Sequence, residues 1–172
     1  MNNFDLIKKN IQTGDILLSR GIRSPISEAI GGITHSYWSH SFLYLGDNQI
    51  IDALYDGVKI HSLDYYLKGE YAVGLYRHIN PLTDEQKSQL VKVASRFAGK
   101  HYGWLQLMYQ CFLRLIGKSE DPKWAWRIKG GVICSEMVAL IYQKIGIMFK
   151  CLPPSQMEPV DFDESPLTVR IA

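Results

Sequence analysis

The sequence predicts an α+β fold: a small antiparallel sheet or partial barrel packed against two or three helices. Three observations lead there. Between Asp15 and Arg77 short apolar runs alternate with polar residues and are separated by Gly, Asp and Asn turn signals. After Thr83 the apolar spacing changes to the helical period. The chain, 172 residues with 47% hydrophobic and 21% charged, is long enough to bury a core without disulfide staples. It is read as a single domain, residues 1–172.

Taken in order, the first ordered element expected is a strand, Asp15 to Ser19, entered through Gly14 and left through Arg20-Gly21. Ser24 to Ile30 fits a helical turn with Pro25 early and Gly31-Gly32 at its end. Ser39 to Leu45 reads as a strand, closed by Gly46-Asp47-Asn48 and answered by Gln49 to Ala53, a hairpin. Asp56-Gly57 turns into Val58 to His61, and Tyr71 to Arg77 follows, so that these segments describe an antiparallel meander. Thr83-Asp84-Glu85-Gln86 has capping-box form and precedes apolar Leu90, Val93, Ala94 and Phe97, a helix stopped by Gly99. A second helical pattern runs from Gly103 to Ile116 and contains Cys111; Lys118 to Gly131 reads as a long loop carrying Trp124 and Trp126. Cys134 to Ile145 is helical and ends at Gly146, and the proline-bearing tail is expected to run extended over the surface.

Composition narrows the function classes. A net charge of +2 with scattered basic residues gives no footprint for nucleic acid, which is not an expected partner. Three cysteines without a framework spacing argue against a disulfide scaffold, so the thiols are expected reduced. No apolar run has the length of a membrane span, and Met1 to Gln12 lacks a signal-type apolar segment, which sets the expectation of a cytoplasmic protein. His35, expected on a loop, does not cluster with His61, His78 or His101, and neither metal nor cofactor is expected. The sequence leaves the oligomeric state open.

Chemistry concentrates at Cys134, which follows Gly130-Gly131-Val132-Ile133 and opens a helix. The unpaired amides and dipole of a helix N-terminus stabilise a thiolate and offer donors to an oxyanion. The bland alternative is a small buried hydrophobe, the role expected of Cys111 and Cys151. His40 opens an apolar strand, sharing a side with Phe42 and Tyr44, and fits either a general base or a half-buried histidine with a backbone partner. Asp52, in the answering hairpin strand, is placed to fix an imidazole tautomer or to flank a turn on the solvent face; Asp47, Asp56 and Glu136 compete for the role.

Gly14-Asp15-Ile16-Leu17, Ser39-His40-Ser41 leading into Leu43-Tyr44-Leu45-Gly46, Asp52-Ala53 and Cys134-Ser135-Glu136 together resemble the circularly permuted, NlpC-type papain-like cysteine amidases, the YaeF/YiiX-like group, and by layout the lecithin retinol acyltransferases. The resemblance spans about Gly14 to Pro159. It implies a permuted papain-like fold in which the histidine strand precedes the cysteine helix, a Cys134 nucleophile, a His40 base and a third polar residue matching Asp52. It also places Tyr102 near the cleft, where its hydroxyl would bind substrate, although core packing suits Tyr102 equally. Trp124 and Trp126 would line an acyl or glycan groove, rest on a membrane surface, or pin the long loop. The expected activity is hydrolysis of an amide or ester in a peptide, a peptidoglycan fragment or an acyl lipid, through a thioester. An acyltransferase using the same thioester and a catalytically silent peptide- or lipid-binding module are the alternatives.

Overall fold

The structure, a computed structural model, describes residues 3–22, 32, 36–103 and 131–172. The expected turn at Ser24–Ile30, the helix beyond Gly103 with Cys111, the loop with Trp124 and Trp126, and His35 lie outside them.

A helix, α1 (Asn3–Asn10), comes first, followed by strands β1 (Ile16–Gly21), β2 (His40–Gly46), β3 (Gln49–Leu54), β4 (Gly57–Ser62) and β5 (Tyr71–His78). Then come helix α2 (Asp84–Ser95), the short strands β6 (His101–Tyr102) and β7 (Gly131–Val132), helix α3 (Cys134–Lys144), a turn of helix α4 (Pro159–Asp163) and a last strand β8 (Thr168–Arg170). The main sheet is antiparallel throughout in the order β4-β3-β2-β1-β5-β8. Only β2-β3-β4 form a meander; β5 returns across the sheet to pair with β1, correcting the expected run of neighbours.

Both faces of this sheet are buried, because alternate residues feed separate apolar clusters. Leu17, Phe42, Ile50, Val73 and Leu75 pack with Ile7 of α1 and with Leu63 and Tyr66 after β4. Ile16, Leu18, Leu43, Ile51 and Val58 pack under α2 and α3 with Leu90, Ala94, Met137, Val138 and Ile141. α1 was not expected from the sequence: it is one short amphipathic segment whose only fully buried side chain is Ile7.

α2 starts as its sequence dictates, with the Thr83 hydroxyl accepting from the Gln86 amide and the Gln86 side chain accepting from the Thr83 amide. The tail departs from the extended path expected of it. Met157 and Phe162 bury their side chains, α4 forms after Pro159, and β8 extends the sheet beyond β5. Proline at the first helical position favours a helix start, which outweighs its tendency to keep flanking chain extended. Cys151, expected to pack, is exposed in the bend between α3 and the Pro154 turn.

A buried ion pair ties the two ends of β1 and β5 together. Asp15, 2% exposed, receives Arg77 Nε and a terminal guanidinium nitrogen at 2.7 Å each, while Arg77 also donates to the Asn10 carbonyl at 2.6 Å. The Gln12 amide adds a third donor to the carboxylate at 2.7 Å. Next to it the Tyr142 hydroxyl of α3 donates to the Gly14 carbonyl, anchoring that helix to the start of β1.

Candidate active site

His40 is the first residue of β2, and the β2–β3 ladder begins only at the Leu43–Ile51 pair, so His40 and Ser41 extend past it. Continuing that antiparallel register sets Asp52 opposite Phe42 and leaves His40 as its diagonal neighbour on the same face. The predicted contact forms: His40 Nε2 lies 2.6 Å from Asp52 Oδ1. Asp52 is fully buried, not the solvent-facing turn residue that the sequence left as an alternative. Of its rivals, Asp56 pairs with Lys59, Asp47 occupies the positive-φ hairpin turn, and Glu136 accepts from the Ile133 amide at 3.5 Å.

Cys134 begins α3 and is buried, inside the cluster on the other face of the sheet. It reaches His40 at the end of the sheet where β2 has no β3 partner, close enough for thiol and imidazole each to shift the other's titration. The Tyr44 amide is spent on Asp15 of β1. By alternation the Ser41 amide faces the β3 side, and with no strand partner there its dipole acts on the Cys134 sulfur and lowers the thiol pKa. Nothing in residue type marks this role of Ser41, since it belongs to the backbone. The Ser41 hydroxyl is also buried and, among the described residues, is the one buried side-chain oxygen or nitrogen without a hydrogen-bond partner.

Asp52 carries more than the sequence suggested. Its Oδ2 accepts from the Tyr66 hydroxyl at 2.6 Å and from His61 Nε2 at 3.3 Å. Tyr66 follows the turn after β4 and stacks on Phe42, with ring centroids 4.1 Å apart. His61 comes from β4. Sequence spacing separates these residues from His40, and only the β3–β4 pairing with its following turn folds them onto one carboxylate; the Ser62 to Tyr66 turn was the missed signal.

Electrostatics follow from this packing. Burial alone would raise the Asp52 carboxyl, but the charge of His40 and the hydrogen bonds from His40, His61 and Tyr66 hold it far below the usual carboxylate range. Burial and the adjacent Asp52 charge push the Tyr66 phenol far up, so it stays protonated and donates. Burial opposes a charged His40, yet the charges and hydrogen bonds of Asp52 and Cys134 outweigh it and raise the imidazole well above its ordinary value. Burial likewise pushes the Cys134 thiol up, while His40 and the Ser41 amide pull it below the ordinary thiol value, the stronger effect.

Because an ionised carboxylate only accepts, His40 Nε2 carries a proton toward Asp52, and Nδ1 is the nitrogen left for the thiol. At the start of α3 the N-cap residue Ile133 has no side-chain acceptor, so the first-turn amides beside the sulfur are not capped by it. The described arrangement can therefore hold a thiolate–imidazolium pair with backbone donors around the sulfur.

Tyr102 sits beside this helix start. Its strand β6 runs parallel to β7, with Tyr102 opposite Val132, two residues before Cys134, and the Gly103 amide donates to the Val132 carbonyl at 3.1 Å. Its ring is partly buried against the core. A Cβ on Gly131 would stand 2.6 Å from the Tyr102 carbonyl carbon and oxygen, so only glycine lets the two strands close. Among the described residues, no group of three or more His, Cys, Asp or Glu side chains is set to hold a metal, and no helix is long and apolar enough to cross a membrane.

Residues 10–113 match the family described as permuted papain-like amidase enzyme, YaeF/YiiX, C92 family. The chain belongs to this family. It is thus a papain-like cysteine hydrolase acting on amides, and the matched region contains His40, Asp52 and Tyr102 and ends before Cys134. Among solved structures, the chain is similar to one titled metalloprotein yiiX from Escherichia coli O157:H7, with a TM-score of 0.64, 24% identity, and coverage of 94% of this chain and 96% of that one. The shared fold is the permuted papain-like one. No curated protein matches.

Proposed function

We propose that this amidase works through Cys134 as nucleophile, His40 as general base and Asp52 as the residue that orients and charges the imidazole. The observation that carries the reading is the His40 ring, held by Asp52 through Nε2 at 2.6 Å and near enough to Cys134 to lower the pKa of its thiol. In the reaction His40 Nδ1 takes the Cys134 proton, and the sulfur attacks the amide carbonyl carbon. The tetrahedral oxyanion forms beside the uncapped amides at the start of α3. The C–N bond then breaks as the amine takes the proton from Nδ1, leaving a thioester. Water attacks it, passing a proton to Nδ1, and the acid departs with regeneration of the thiolate–imidazolium pair. Asp52 stabilises the imidazolium in both halves, with Tyr66 and His61 keeping its second oxygen occupied. Peptides, peptidoglycan fragments and acyl lipids are the amide or ester substrates to screen, with Tyr102 beside the nucleophile as a candidate donor.

The deciding experiment is iodoacetamide labelling of the native protein from about pH 4 to 9, with Cys134 and exposed Cys151 quantified separately by peptide mass. Cys134 is expected to label with an apparent pKa well below the free-thiol value of about 8.5, and His40→Ala to abolish that advantage. Equal profiles for Cys134 in the wild type and in His40→Ala would overturn the assignment.

A further inference from the structure

A groove of about 460 Å³ opens at the same end of the sheet as Cys134, and no part of the proposed mechanism uses it. Its walls are Phe4, Tyr37, Trp38, Tyr71 and Val73, with Arg170 as the charged residue among its lining. The strand register locates it. His40 lies across from Ser19, and Ser19 across from Val73. Two steps between antiparallel neighbours, each about 4.8 Å, place Val73 roughly 10 Å from His40. Tyr71 also touches Tyr66, ring centroids 4.8 Å apart, and Tyr66 donates to Asp52, so one wall of the groove is a single ring away from the buried carboxylate.

The groove is built, and its charge has one sign. Trp38 is 3% exposed, meets Tyr76 edge-on, and donates from Nε1 to the Tyr76 hydroxyl at 3.1 Å and Asp163 at 3.2 Å. Asp163 is thus engaged behind the indole, and burial and its nearby charge push the Tyr76 phenol up. Trp38 lies against the backbone of Gly74, where a Cβ would come within 2.8 Å of the indole. The Arg170 guanidinium stands 5.8 Å from the Trp38 ring centroid, and outside the lining the Arg20 guanidinium stands 5.2 Å from that of Tyr37. Apart from these ring contacts, Arg170 Nε donates to the Ala172 carbonyl at 3.2 Å and Arg20 to the Tyr37 carbonyl at 3.5 Å. Neither forms an ion pair with an Asp or Glu side chain among the described residues, and no acidic side chain lines the groove. A guanidinium carries five in-plane donors, so stacking and one backbone bond leave others to meet a carboxylate.

We propose that this groove is a substrate subsite for the far end of the amide: an aromatic or apolar group resting on Trp38 and Tyr71, with a carboxylate held by Arg170, about 10 Å from His40. The proposal rests on Cys134 being the nucleophile. Three extended residues span roughly 10 Å, so the occupant fits a short peptide with a free carboxyl terminus and an aromatic last residue.

The test uses N-bromoacetyl-Gly-Gly-Phe as free acid and as C-terminal amide, measuring the alkylation rate constant of Cys134 for each. The ratio of acid to amide within one protein cancels changes in thiol reactivity. The wild type is expected to favour the acid about fivefold, the size of an accessible ion pair, and to lose the preference in 0.5 M salt. Arg170→Gln should bring the ratio close to one, with Arg170→Lys between. In parallel, acetyl-Gly-Gly-Phe and its amide are titrated into Cys134→Ser and Cys134→Ser/Arg170→Gln by calorimetry. A wild-type ratio near one, or a ratio unchanged in Arg170→Gln, overturns the subsite. If Cys134 fails to alkylate selectively, the nucleophile assignment falls, and calorimetry decides the subsite alone: acid preference lost with Arg170 supports it, and equal binding of acid and amide ends it.

Discussion

Replacing Asp52 by Asn removes a charge while keeping shape, and the geometry fixes how much should be lost. The carboxylate accepts from His40 at 2.6 Å, Tyr66 at 2.6 Å and His61 at 3.3 Å. An amide offers one oxygen and one NH2. If the oxygen faces His40, the NH2 meets two donors, of which the phenol can reverse its role. If the NH2 faces His40, the ring must shift its proton to Nδ1 and can no longer take one from the thiol. In either case the imidazolium loses a charge-assisted hydrogen bond, about 1.5–3 kcal/mol. At 1.36 kcal/mol per pKa unit this lowers the His40 pKa by about one to two units. The thiolate it stabilises weakens in step, so iodoacetamide labelling of Cys134 at about pH 6 should fall roughly 10- to 100-fold, less than in His40→Ala. The assay is the pH profile of Cys134 alkylation, with circular dichroism verifying the fold. A variant profile superimposable on that of the wild type would refute the claim that Asp52 charges His40.

The same carboxylate sets an acid limit on stability. Its folded pKa is depressed, so its contribution is complete above the unfolded value of about 3.9 and is lost as pH falls below it; chemical denaturation between about pH 2.5 and 6 should show a steeper acid slope in the wild type than in Asp52→Asn. Arg77→Gln leaves the Asp15 carboxylate buried with a single backbone donor, and urea unfolding is expected to show a loss of about 3–5 kcal/mol. Thr83→Ala removes one half of the capping box, a loss of about 1 kcal/mol in the same assay, without changing Cys134 labelling. Gly131→Ala forces β7 away from the Tyr102 backbone, so Cys134 labelling should slow at unchanged global secondary structure, the mark of a displaced helix start.

The strands were legible because each carried its own period and turn: Gly46-Asp47-Asn48 closed one hairpin with three positive-φ residues, and Gly57 turned the next at φ 116°. α2 was legible through a capping box written in four adjacent residues. What local pattern does not encode is which strands become neighbours, and so the return of β5 to β1 was unreadable. The tail was misread for a related reason, because Met157 and Phe162 gain burial only from a core assembled by distant segments. At the site, His40, Asp52 and Cys134 stood out as residue types in suggestive order, and the structure brings them together. Tyr66, His61 and the Ser41 amide are spread over β4, its turn and a bare backbone group, and their role exists only once Asp52 is buried among them.

The junction of Cys134 with His40 and Ser41 also bears on time. The strand that supplies the base and the Ser41 amide leaves the ribosome about ninety residues ahead of the thiol. Until α3 docks at the open end of β2, that thiol has none of the neighbours that lower its pKa and behaves as any other cysteine. Reactivity is therefore the last property the growing chain acquires, and the first it surrenders when α3 loosens. The rate at which Cys134 accepts a small electrophile is accordingly a clock for tertiary docking, readable in a population whose helices and hairpins have already formed.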